Sequence, residues 1–319
     1  MMTAPVREIH GLVLLDKPEG LTSRQCVNRV QSALSGRIKA GHAGTLDPFA
    51  TGLLPVCVGR ATKLVSRLRS GTKEYRAELC LGIETDTQDI TGTIQKKVSI
   101  PGSIDRNRIE SIFRQFTGII RQVPPMFSAR KVGGVRLYTL ARAHIEVERS
   151  PRDIEIHALN LVSCDLPVIV FDVTCSEGTY VRTLGADIAQ GLGTAGTLQA
   201  LRRTRVGSIH VEESVKLENL HREGSGRPVW LLETDRITRD LPSATLKTSS
   251  VKQFVNGGLV RMEDFGEISV EMCPGQEFNV YSTAGRFLGI CSVSEPLITQ
   301  KTPLKTVQLI DIREEEPTA

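Results

Sequence analysis

The chain has no apolar run near the ~20 residues that a membrane-crossing helix needs. Its longest early run, Leu12-Val13-Leu14-Leu15, is strand-sized. The N-terminus shows no charged stretch leading into a long apolar segment, so no secretory signal is expected. No two of the seven cysteines form a C-x-x-C pair, which excludes zinc-ribbon and thioredoxin spacing. Most of them sit in apolar surroundings, which predicts buried, reduced thiols in a cytoplasmic protein. The six histidines (His10, His42, His144, His157, His210 and His221) are scattered with no H-x-x-x-H pair, so no metal site is expected. No serine lies in G-x-S-x-G, which argues against a nucleophile-elbow hydrolase. There is no internal repeat or low-complexity tract.

What is present fits an ordinary globular protein. Apolar residues make up 40% of the 319 and charged residues 24%, enough for packed cores. The length suggests about two domains. Forty Lys and Arg against 36 Asp and Glu leave a net charge of +4. This mild basicity permits a nucleic-acid partner without requiring one.

Periodicity orders the chain. Leu12–Leu15 reads as a buried strand and 16–20 as a turn. Ser23 is placed to cap a helix with Val27, Val30 and Leu34 inward and Gly36 at its end. From Tyr75 the period becomes two, with Tyr75, Ala77, Leu79 and Leu81 on one strand face. Asp105 can cap a helix carrying Ile109, Ile112, Phe113 and Phe116, which Gly118 ends. Residues 124–150 hold Pro124-Pro125, Gly133-Gly134 and many basic side chains but few apolar ones, as in a long excursion from the core. Ile169, Phe171, Val173 and Cys175 form the inner face of a strand; a turn at Gly178 leads to a helix with Val181, Leu184 and Ile188. A turn-rich connection spans 224–228. After Pro242 come short strands with glycine turns, the pattern of a small β module. The acidic tail, 313–319, is expected to be solvated.

Two glycine-rich stretches compete for attention. Gly191-Leu192-Gly193-Thr194-Ala195-Gly196 matches G-x-G-x-x-G, but it follows a helix rather than a strand, so it reads as a helix-to-strand turn. Residues 41–52 are the more unusual: glycines and a proline surround one carboxylate, Asp47, and one imidazole, His42. A turn aspartate bonded to its own backbone is the plain reading. A carboxylate held with little freedom, as nucleophile or general base, is the other.

The order of short motifs separates these readings. Asp16-Lys17-Pro18 is followed by Gly-Thr-Leu-Asp-Pro-Phe-Ala-Thr-Gly at 44–52, Thr72-Lys73-Glu74-Tyr75, Val123-Pro124-Pro125-Met126, Gly178-Thr179-Tyr180-Val181-Arg182 and Leu201-Arg202-Arg203-Thr204-Arg205. In this order and spacing they resemble the TruB family of tRNA pseudouridine synthases, strongly over about residues 10–210 and weakly beyond.

The resemblance implies isomerisation of uridine 55 in the T-arm loop of tRNA, with no cofactor or metal. It places the family aspartate at Asp47, which must be ionised either to attack the sugar or to help form a glycal-like intermediate. It makes Arg182 the partner that keeps the carboxylate charged and oriented. Tyr75 would stack on the target base, Tyr180 is the aromatic residue beside the arginine, and Leu201 packs against the pocket. Lys17 and Pro18 would support the catalytic loop. The target base must be flipped out of a folded loop, and His42 would take up the space it vacates. Phe127 departs from the pattern, since the family often has Tyr after Pro-Pro-Met; the ring is kept and the hydroxyl lost. Candidates for RNA-backbone contact are Lys63, Arg67, Lys73, Arg130, Lys131, Arg136, Arg142, Arg202, Arg203 and Arg205.

The implied fold is α+β: a central mixed or antiparallel sheet flanked by helices over residues 1–240, the pseudouridine synthase fold. A mobile RNA-clamping insertion is expected at about 124–150. A small β-rich, PUA-like domain at 241–312 would contact the acceptor stem. A monomer that binds tRNA without a membrane or a guide RNA is expected. Three rivals remain at this point: a non-catalytic RNA binder on the same scaffold, a guide-directed relative, and a cofactor enzyme built on the 191–196 turn.

Overall fold

The computed structural model describes residues 9–310, apart from 35, 37, 129, 144, 222–226, 269–272 and 294–302. His144, the acidic tail and most of the 224–228 connection therefore lie outside the described residues. In chain order the first part comprises β1 (Gly11–Lys17), α1 (Ser23–Ala33), β2 (Ala40–His42), β3 (Thr51–Val58), α2 (Val65–Ser70), β4 (Lys73–Leu81), β5 (Ile83–Thr85), β6 (Ile94–Lys97), α3 (Arg106–Phe116) and β7 (Gly118–Gln122). There follow β8 (Lys131–Val132), β9 (Val135–Arg136), α4 (Leu137–Arg142), β10 (Arg152–Asp165), β11 (Val168–Cys175), α5 (Val181–Gly191), β12 (Gly196–Val206), β13 (Ile209–His210) and β14 (Val215–Lys216). The last part is β15 (Ser243–Leu246), α6 (Thr248–Val255), β16 (Val260–Arg261), β17 (Phe265–Ile268), β18 (Glu277–Ser282), β19 (Phe287–Val293) and β20 (Pro303–Leu309).

One large sheet runs β14-β1-β3-β12-β4-β11-β10-β7, with β2 added on β3 and β13 on β12. It is mixed: β1–β14 and β3–β12 are parallel and the other pairs antiparallel. The run Leu12–Leu15 is apolar without alternation because β1 is covered on both faces. Val13 and Leu15 join the main core, whereas Leu12 and Leu14 join a second cluster with Leu53, Cys57 and Val206. Helices α1, α3 and α5 press Val27, Val30, Ile109, Phe113, Leu184 and Ile188 into the main core. There Phe113 and Phe171 meet edge to face, with centroids 5.7 Å apart.

Several local expectations are corrected. Asp16 and Lys17 belong to β1 rather than to a turn. Thr22, not Ser23, caps α1, because Thr22 and Gln25 satisfy each other in a capping box. Ser23 instead exchanges hydrogen bonds with the backbone of Leu46. Pro55 lies inside a regular strand, β3. The β module also contains a helix, α6. The 191–196 stretch is the predicted turn from α5 into β12. All seven cysteines are free thiols; Cys26, Cys57, Cys175 and Cys291 are buried, but Cys273 is exposed.

The second sheet, β16-β20-β19-β18-β15-β17, has its own core around Leu246, Phe254, Phe278 and Leu288. It is fastened to the first part: Leu64 packs with Ile290 and Ile310. Lys63 Nζ donates to the Leu309 carbonyl at 2.8 Å, and Arg67 pairs with Glu277 at 2.6 Å. Asn279, almost fully buried, exchanges hydrogen bonds with Thr238. Among the described residues no helix is long and apolar enough to cross a membrane.

Phe171 is fully buried at the centre of the main core. Phe171→Ala is expected to destabilise the protein by about 3–5 kcal/mol, because a large cavity replaces the ring. The check is a lower urea midpoint with an unchanged m-value.

Candidate active site

The loop from Ala43 to Ala50 leads into β3, beside its parallel neighbour β12. Its conformation is imposed from beneath. Gly44 has φ +106°, open to glycine and strained for other residues. Lys17 is fully buried; its ammonium donates to the carbonyls of Pro18 at 2.8 Å, Leu21 at 2.7 Å and Pro48 at 3.1 Å. Burial pulls the Lys17 pKa down to about 8, yet the group stays an ammonium at neutral pH, as three acceptors require. Ser23 holds Leu46 from the start of α1, and Gly20 N–H donates to the Pro48 carbonyl at 2.8 Å.

These contacts aim Asp47 into a cleft of about 800 Å³. Across it, Arg182 emerges from the first turn of α5 and places Nε 2.8 Å from Asp47 Oδ2. The Arg182 side chain is 4% exposed, and that of Asp47 keeps 35%, so the carboxylate is open to a ligand while its partner is not. Nη1 of Arg182 donates to the Thr87 carbonyl at 2.5 Å and lies 3.7 Å from Asp89 Oδ2. Nη2 donates to the Phe127 carbonyl at 2.8 Å. Burial pushes the Asp47 pKa up, Arg182 pulls it back down, and Asp89 adds a smaller upward push.

The cleft brings together His42, Asp47, Lys73, Tyr75, Arg130, Tyr180, Arg182, Leu201 and Arg203. Burial holds the Tyr75 phenol protonated by raising its pKa. Burial, and then the charge of Arg203, lowers that of His42, so the imidazole is neutral; its buried Nδ1 has no hydrogen-bond partner. Lys17 lies behind the loop and Pro18 is exposed outside the cleft.

Most of the candidate backbone-contact residues have partners within the protein. Lys63 and Arg67 hold the second sheet, as described above. Arg202 forms a bidentate pair with Asp16 at 2.9 and 2.8 Å, and Arg205 pairs with Glu74. Arg203 is 1% exposed and donates to backbone carbonyls, so it does not offer its charge to solvent. Lys73 is 5% exposed with its ammonium on the Arg69 carbonyl; burial lowers its pKa. Arg136 and Arg142 flank the Tyr138 ring on the insertion. The Lys131 side chain lies outside the described residues.

Three residues at the site were not singled out from the sequence. Asp89 is buried and accepts from Thr91 N–H at 3.0 Å and from Thr87 Oγ1 at 3.0 Å. Its neighbour Gln88 has φ +62° and accepts from Thr183, next to Arg182. Ser128 turns a buried, unpartnered hydroxyl into the cleft. The repeated Thr-x-Thr-x-Asp of 85–89 was the available signal, since alternating hydroxyl and carboxylate side chains often knit a turn to itself.

Known proteins resemble the chain over most of its length. Residues 31–181 match the model of the N-terminal domain of TruB family pseudouridylate synthases, and 182–225 match that of the tRNA pseudouridylate synthase B C-terminal domain. A tRNA pseudouridine synthase B of Cupriavidus metallidurans is 40% identical over 91% of this chain and 93% of its own. The chain belongs to the TruB family. It is a pseudouridylate synthase, an isomerase. The Burkholderia lata enzyme of the same name is 42% identical over 90% of this chain and 87% of its own. Among solved structures, an H/ACA RNP bound to a substrate RNA containing 2'-deoxyuridine superposes with TM-score 0.71 over 95% of this chain and 86% of that chain. A Cbf5–Nop10–Gar1 complex superposes with TM-score 0.70 over 95% and 85%. At 21% and 22% identity, these two show the TruB-type fold alone. The boundary between the two family models, at 181/182, divides the site: Asp47 and Tyr75 come from one side, Arg182 and Leu201 from the other.

Lys17→Met is expected to cost about 1–3 kcal/mol of stability, because buried carbonyls lose their donor. Urea unfolding checks it; a variant as stable as the parent would show that water takes the ammonium's place.

Proposed function

We propose that the protein converts uridine 55 in the T-arm loop of tRNA to pseudouridine, with Asp47 as the essential carboxylate. The observation that carries this reading is the Asp47–Arg182 pair at 2.8 Å on the wall of the cleft. In this isomerisation the N1–C1′ bond breaks and C5 joins C1′. The proton on C5 leaves and N1 gains one, so no external oxidant or group donor is needed. Asp47, kept ionised and aimed by Arg182, either attacks C1′ or assists a glycal-like route. Tyr75 stacks on the flipped base, with Tyr180 and Leu201 completing the apolar wall. His42, neutral and flat, fills the space the base leaves in the T-loop.

The protein acts on tRNA as a monomer and without a guide RNA in this reading. Arg130, Arg136 and Arg142 hold the backbone, and the second sheet, a PUA-like unit, reaches the acceptor stem. Binding is then salt-sensitive through counterion release. The insertion closes as a clamp. It is tethered at its base by the Phe127 carbonyl on Arg182 and by Arg149 on the Pro124 carbonyl. Amide exchange over 131–145 is expected to slow when tRNA binds; equal protection with and without tRNA would count against the clamp.

The decisive experiment is tritium release from tRNA carrying [5-³H]uridine. Wild type is expected to release tritium from the T-loop. Asp47→Asn is expected to release none while binding tRNA about as well. If affinity and activity fall together, Asp47 is structural. No release from folded wild type that still binds tRNA would favour a non-catalytic binder.

The pH dependence follows from the raised Asp47 pKa. The single-turnover rate falls as pH drops through that pKa, above the ordinary aspartate range, because the carboxylate gains a proton. Arg182→Met removes the cation that holds the pKa down, so the acidic limb moves to higher pH. A limb that stays in place would mean that Asp47 is not the titrating group.

A further inference from the structure

Strand β12 lies between β3 and β4, so residue 203 has a partner on each side: Gly52 on β3 and Tyr75 on β4. Directly opposed residues share a sheet face, and Arg203 and Tyr75 both line the cleft. The β12–β4 register shifts between Arg203 and Arg205, a bulge of the kind that re-aims side chains beside active sites. From this position the guanidinium runs under the catalytic loop. Nε donates to the Leu53 carbonyl at 2.7 Å, and Nη2 to that of Gly44 at 3.2 Å. Nη1 reaches toward that of Thr45 at 3.5 Å. One planar group thus holds the chain on both flanks of Asp47.

The surrounding backbone is shaped to this arrangement. A Cβ at Gly52 would stand 2.3 Å from the Arg203 carbonyl oxygen, so only glycine lets β3 approach this closely. Tyr75 stands directly opposite Arg203 in the sheet and beside it in the cleft, and the charge of Arg203 is the largest influence opposing burial at the phenol. Arg202 and Arg205 are paired with Asp16 and Glu74, whereas Arg203 is occupied by backbone carbonyls.

We infer that Arg203 is a positioning residue that fixes the Asp47 loop and the Tyr75 ring relative to each other, rather than a contact to RNA phosphate. The inference rests on the reaction proposed above, in which the carboxylate and the stacking ring must meet one nucleotide together. The rigid fork of a guanidinium can serve several acceptors in a plane at once; the point-like ammonium of lysine cannot.

The test uses the full-length protein with its four tyrosines replaced by 3-fluorotyrosine, Tyr75→Phe assigning the Tyr75 signal. In Arg203→Lys the ¹⁹F resonance of Tyr75 is expected to shift, with those of Tyr138 and Tyr281 unmoved. The single-turnover rate at saturating tRNA is expected to fall on the order of 100-fold, the scale of a misplaced reacting group. The tRNA Kd should change by less than about threefold, since the loss lies in the chemical step. A wild-type Tyr75 resonance together with a wild-type rate would overturn the inference. So would weakened tRNA binding with an unchanged saturating rate, the pattern of a phosphate contact. Should Arg203→Lys fail to fold, Tyr75→Phe carries the test: the Arg203 guanidinium resonances are expected to move, and unmoved resonances overturn the inference. Wild type that binds tRNA without converting uridine would overturn the proposed reaction instead, and the resonances would still decide whether Arg203 joins the two elements.

Discussion

A buried guanidinium cannot be left without acceptors, and Arg182 has four around it: Asp47, Thr87, Asp89 and Phe127. These belong to the Asp47 loop, the segment between β5 and β6, and the base of the insertion. Desolvating the charge is expensive, so each acceptor must be held where it can compensate. Gln88 takes a strained backbone conformation that sets Thr87 and Asp89 on either side of it. The site is thereby a meeting point of three chain segments around one side chain of α5.

The same logic extends beneath the loop. Lys17 and Arg203 are both almost wholly buried, and both are satisfied by backbone carbonyls of the loop and its borders. Cations used in this way freeze a segment that glycines would otherwise leave free. A side chain on such a loop has little freedom left to lose when a ligand meets it, which is the physical content of preorganisation. The mixed sheet makes this possible. The parallel contact of β3 with β12 brings residues 51–52 beside 202–203, far apart in sequence.

Much of the site was legible from residue types and their order. Asp47 and His42 stood out in the glycine-rich loop, Tyr75, Arg182 and Leu201 were named from the family resemblance, and all line one cleft. The strands around Tyr75 and Phe171 followed from period-two burial, and Asp105 caps α3 as its position suggested. The basic residues were the least legible. Lys63, Arg67, Arg202 and Arg205 look like RNA contacts in a sequence, but each has a partner within the protein. Nothing local distinguishes a solvated arginine from one whose acceptor lies 150 residues away, as Leu53 does from Arg203. Asp89 escaped notice for the same reason, since its role as neighbour of Arg182 depends on how the β5–β6 segment docks onto β12.

By itself the sequence determined the elements, because burial periodicity, capping residues and glycine positions act within a few residues of one another. It also determined the chemistry available, since one carboxylate in a constrained loop and an ordered set of motifs point to one family. Only the tertiary structure decided which cations line the cleft and which have partners elsewhere in the protein. That outcome depends on strand order and register: β12 inserted between β3 and β4 turns Arg203 inward beneath the loop and leaves Arg202 and Arg205 to pair with Asp16 and Glu74.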